Sequence, residues 1–74
     1  MKVEIKHSVV QDTSVIKFFT LNDYYRVLKF LQNGEFAWTP LTYSSAKNTA
    51  SIRVGEAVLQ KISDRFGVGK KCQQ

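Results

Sequence analysis

The sequence predicts an α+β fold: a small single domain in ββαββα order, with an antiparallel sheet of about four strands and two helices on one face. Two patterns predict it. Short runs of period-two alternation take turns with stretches whose apolar residues recur at helical spacing, and residues with turn chemistry separate them. Size sets the third bound. Seventy-four residues allow one core, and a chain of that length buries only about 60% of the surface its unfolded form exposes.

Val3, Ile5, His7 and Val9 alternate with Lys2, Glu4, Lys6 and Ser8, the pattern of a strand with one buried face. Gln11-Asp12-Thr13 is a polar break. Ser14 to Thr20 is rich in β-branched and aromatic residues, so the two runs predict a hairpin. From Thr20 the period changes. Leu21, Tyr24, Tyr25, Val27, Leu28 and Leu31 fall on one helical arc, while Asn22, Asp23, Arg26 and Lys29 fall on the other. Thr20 followed by Asp23 resembles a capping box with Asp in place of Glu, and Asn22 is a rival cap. Asn33-Gly34 predicts a left-handed stop. The same pair would also suit a hairpin between Tyr25–Gln32 and Glu35–Thr42. Strict alternation there would set Lys29 among apolar residues, whereas the helical arc has one exception, Phe30, so the helix is preferred.

Glu35 to Tyr43 returns to strand character, with Phe36 and Trp38 on one side. Pro40 donates no backbone hydrogen bond, so this strand is expected to lie at a sheet edge or to end there. Ser44 to Asn48 is a loop. Ala50, Ile52 and Val54 then alternate with Ser51 and Arg53. In the last helix Val58, Leu59, Ile62 and Phe66 share a face, Gln60, Lys61, Asp64 and Arg65 face away, and Gly67 suits the residue after the helix. Residues 1–68 are thus expected to form the domain and residues 69–74 a flexible basic tail.

Composition limits what this domain can do. Five Phe, three Tyr and one Trp in a 43% hydrophobic chain argue against disorder. Cys72 is the single cysteine, so no intrachain disulfide is expected, and one Cys with one His cannot supply a structural zinc site of about four ligands. No metal and no cofactor are expected. Self-association as a homodimer is then the remaining source of added stability. The N-terminal residues lack the apolar core of a secretory signal, and no apolar run is long enough to span a membrane. A reducing cytoplasm suits the cysteine usage.

No arrangement of residues matches an enzyme. The acids are scattered, and Asp23 and Glu56 sit in first helical turns, where a carboxylate favours the helix dipole. His7 lies on the apolar face of its strand without a recognisable nucleophile or orienting acid, and reads as a buried or half-buried histidine with one hydrogen-bond partner. Lys70 and Lys71 near Cys72 would lower its pKa, though a tail thiol without a role is the plainer reading. Gly69-Lys70 follows a helix instead of preceding one, so no phosphate-binding loop is present.

The Thr49–Gly67 stretch, a strand feeding straight into an amphipathic helix, resembles the first half of a ribbon-helix-helix repressor. That resemblance implies Ser51 and Arg53 facing DNA, Ile52 and Val54 facing the core, and Val58, Leu59 and Ile62 in a helix–helix contact. The family's second helix is not expected in the seven residues that follow Gly67.

What remains is the placement of charge. The net charge is +5, a balance that favours nucleic-acid or acidic partners and equally suits plain solubility. Arg26 and Lys29 on the first helix, Lys61 and Arg65 on the second, and Lys70-Lys71 behind them would form one phosphate-tracking stripe if the helices lie side by side. Arg53 adds a seventh cation and Ser51 a base contact. Phe30, Phe36 and Trp38, with Phe18 a further candidate for the open sheet face, would stack bases or anchor a protein. The expected function is a basic, non-enzymatic nucleic-acid-binding or regulatory domain. The alternative is a protein-binding inhibitor or adaptor of phage or mobile-element type that blocks a host protein or nucleoprotein complex.

Overall fold

A computed structural model describes residues 1–68. It contains β1 (Val3–Ser8), β2 (Thr13–Phe18), α1 (Leu21–Asn33), β3 (Thr39–Ser44), β4 (Thr49–Gly55) and α2 (Glu56–Phe66). The strands form one antiparallel sheet in the order β1-β2-β4-β3. The predicted ββαββα order and fold class are therefore what the chain adopts.

The register explains which face is covered. Ser14 pairs with Val54, Ile16 with Ile52 and Phe18 with Ala50 across the two central strands. All six are buried, because these alternate positions face the helices. Helix α1 adds Tyr24, Val27 and Leu31 to that layer, and α2 adds Ile62. Phe18, expected as a candidate for the open face, is fully buried in this core, with its ring 5.7 Å from that of Tyr24.

Helix α1 starts as its cap predicts: the Asp23 amide donates to the Thr20 hydroxyl at 3.3 Å. A second cap arrives from far along the chain, where Asn48, in the β3–β4 turn at φ 60°, accepts from the Leu21 amide at 3.0 Å. The C-terminal end differs from expectation. Gly34 is right-handed (φ −89°), and Glu35 takes the left-handed conformation (φ 57°). Gly34 serves close approach instead, since a Cβ there would collide with the ring of Phe36. Helix α2 ends at Gly67 in the left-handed region (φ 71°), whose amide bonds the Ser63 carbonyl at 2.7 Å. The buried Ser63 hydroxyl donates to the Val68 carbonyl, which holds Val68 over the core.

Two strand boundaries move. Strand β1 ends at Ser8, so Val9 sits in the hairpin turn, 83% exposed, instead of on a buried strand face. Strand β3 begins only at Thr39, leaving Phe36 and Trp38 in irregular chain before it. Pro40 is on an edge strand, as expected, next to a register shift between Pro40 and Thr42.

Candidate nucleic-acid interface

The helical layer gathers three of the expected cations. Arg26 and Lys29 project from α1 and Arg65 from α2, and together with Phe30, Asn33 and Phe66 they line one cleft of about 420 Å³. Helical periodicity produces this. Arg26 and Lys29 are three residues apart and share a side of α1, while Phe30 and Phe66 meet edge to face at 5.7 Å beneath them. The Phe66 ring lies 5.9 Å from the Arg26 guanidinium carbon and 5.5 Å from that of Arg65. Both forks therefore rest against an aromatic surface. Asp23, 3.8 Å from Arg26, offsets part of the charge.

Lys61 is exposed on α2 one turn before Arg65, on the same side of that helix, although it does not line the cleft. Lys70 and Lys71 lie outside the described residues. Ser51 and Arg53 belong elsewhere. They alternate with the buried Ala50, Ile52 and Val54, so they face the side of the sheet opposite the helices. The expected cations are thus divided between two faces of the molecule.

Strand β4 is bonded on one side to β2 and on the other to β3. A ribbon-helix-helix strand pairs with its twin, and an interior strand has no free edge for that. Ser51 is 7% exposed, with its hydroxyl 2.6 Å from that of Thr42. Arg53 lines a recess of about 130 Å³ with Thr13, Trp38 and Thr39.

The expected aromatic anchors are largely used inside the fold. Phe36 stacks at 5.5 Å on Phe30, and Phe30, Phe36 and Trp38 are all half-buried and packed against the core. Other apolar groups are exposed in their place: Phe19, Tyr25, Leu41, Tyr43, Val9 and Val10. The Tyr25 and Tyr43 hydroxyls are 2.7 Å apart. That hydrogen bond raises the Tyr25 pKa above 10.0, with smaller contributions from desolvation and from the charge of Tyr43. Phe19 has Lys17 and Lys2 at 5.4 and 5.8 Å. Tyr25–Tyr43 and Lys2–Phe19 join distant parts of the chain, so sequence periodicity carries no sign of them, whereas Lys17 and Phe19 are two residues apart.

His7 keeps half of its side chain exposed and bonds through Nδ1 to Glu56, which also accepts from the fully buried Ser14 hydroxyl at 2.8 Å. Ser14 and Glu56 address the same ring nitrogen, an arrangement unlike a nucleophile relay, in which acid and nucleophile use opposite nitrogens. With Asp12, His7 and Glu56 form the group of metal-ligating atoms found among the described residues, all within 4.8 Å of one another.

No helix among the described residues is long and apolar enough to cross a membrane. No family model, curated protein or solved structure matches the chain.

Proposed function

We propose that this protein is a non-enzymatic nucleic-acid-binding domain of a reducing, cytoplasmic setting, and that its helical layer holds backbone phosphates between α1 and α2. The observation that carries this reading is the convergence of Arg26, Lys29 and Arg65 on one cleft. Guanidinium groups bind phosphate through a planar fork, and guanidiniums resting on an aromatic ring begin with part of their freedom already removed. Phosphate contacts set position and affinity without reading sequence, so the expected binding is strong at low salt and weakly selective. Lys61, and the tail lysines 70 and 71, would extend the track. Arg53 and Ser51, on the other face, are not part of it.

The test is fluorescence anisotropy with labelled duplex and single-stranded DNA and RNA at several salt concentrations. Each phosphate neutralised contributes about 0.9 to the slope of log K against log salt on duplex DNA. The triple variant Arg26→Ala, Lys29→Ala, Arg65→Ala is expected to flatten that slope by two to three contacts, or about 2–3 units. Absence of binding by the unaltered protein at low salt contradicts the proposal.

A protein partner is the second reading. It is favoured by the exposed Tyr25–Tyr43 pair, since tyrosines are enriched where interfaces concentrate their binding energy. Retention of one nuclease-resistant protein from a host lysate, lost on substituting both tyrosines by Ala, would favour it over the first.

A further inference from the structure

We infer that His7, Asp12 and Glu56 form a binding site for a first-row divalent ion of the Zn²⁺ class, sharing no residue with the cleft between the helices. Three separate parts of the chain supply the donors: strand β1, the β1–β2 turn and the first residue of α2. Their ligand atoms lie within 4.8 Å of one another. The ligand atoms of one tetrahedral ion, each about 2.0–2.2 Å from it, stand roughly 3.4 Å apart. All three side chains are exposed, so small rotations close the difference.

Two further features go beyond a His–Glu hydrogen bond. Glu56 is already oriented from beneath, because the fully buried Ser14 hydroxyl donates to its Oε2; such an outer partner fixes a ligating carboxylate. Asp12, at φ 54°, adds a second carboxylate that neither His7 nor Ser14 needs for the hydrogen bonds they make. Two like charges beside one imidazole repel each other, and a divalent cation removes that repulsion.

The donor chemistry selects the ion. Imidazole with carboxylates suits Zn²⁺, Co²⁺ or Ni²⁺, whereas Mg²⁺ and Ca²⁺ prefer all-oxygen sites. Nδ1 now donates its proton to Glu56 Oε2. On binding, the metal takes that position and the neutral ring carries its one proton on Nε2. Three protein ligands leave a fourth position for water. The ion would clip the hairpin to the start of α2.

The test titrates Zn²⁺ and, separately, Mg²⁺ into the full chain carrying Cys72→Ser, so that the thiol does not compete. Calorimetry gives stoichiometry and Kd, and the imidazole proton signals of His7 report the ligand directly. The expected result is one Zn²⁺ per chain, displaced His7 signals, and no response to Mg²⁺. At a Zn²⁺ concentration a hundred times Kd, Tm should rise by on the order of 10 °C. Asp12→Asn, a change in an exposed turn, should keep the fold and weaken Zn²⁺ binding by about tenfold or more, at least as much as the loss of an outer partner. Unmoved His7 signals, or an Asp12→Asn chain that binds as tightly as its parent, would overturn the inference.

Discussion

Tyr25 and Ile52 illustrate what single residues contribute. The Tyr25–Tyr43 hydrogen bond raises the Tyr25 pKa above 10.0, so its contribution to stability is complete below the unfolded value. It is lost as pH rises through the higher folded value. Replacing Tyr43 by Phe removes the leading cause of the shift. The Tyr25 titration, followed by NMR of its ring carbons, should then move down towards 10, and an unchanged midpoint would show that the hydroxyl contact is not what raises it. Ile52 is fully buried at the centre of the sheet. Its truncation to Ala should cost about 2–5 kcal/mol against a total of about 4–11 kcal/mol for a chain of this length. Urea denaturation measures that loss, and a cost below 1 kcal/mol would contradict its place in the core. Residue-scale reading from sequence succeeded where a local rule decided, as at Thr20 and Gly67. It failed at Gly34, where glycine permits the approach of the Phe36 ring while Glu35 supplies the left-handed turn.

Among elements, α1 shows how a distant loop completes a local structure. The Thr20 cap is legible in sequence, but the Asn48 side-chain Oδ1 reaching the Leu21 amide is not, because 27 positions separate them. Asn48 combines two roles: a left-handed backbone at φ 60° and a side-chain cap. Asn48→Gly keeps the first and loses the second, with an expected cost of a few tenths to about 1 kcal/mol. Asn48→Ala loses both and should cost more. Thermal unfolding of the two variants checks this order, and equal losses would remove one of the roles. The β strands were legible by alternation in their central residues, and less so at their ends. Val9 continues the apolar pattern of β1 yet lies in the turn, because pairing with β2 stops at Ser8 and Thr13. Phe36 and Trp38 likewise read as strand, but packing beside α1 and against the core takes them out of the sheet.

For the whole molecule, the fold decides which charges can act together. Alternation alone put Ser51 and Arg53 on the face opposite Ala50, Ile52 and Val54, and helical spacing alone put Arg26 beside Lys29. Neither pattern tells that α1 and α2 bring Arg65 to the same cleft, since that depends on both helices crossing one sheet face. The open sheet face offers a rival basic surface, with Lys6 and Lys17 lining a shallow depression beside Glu4 and Ser51. Charge reversal distinguishes the two faces when both variants carry the same net charge. Salt-dependent anisotropy should be compared for Arg26→Glu/Arg65→Glu and Lys6→Glu/Lys17→Glu, each lowering the charge equally. Binding through the helical layer predicts that the first pair abolishes binding at low salt, while the second weakens it by no more than the loss of long-range attraction. Loss confined to the Lys6/Lys17 pair, with the helix variant still bound, would contradict the account.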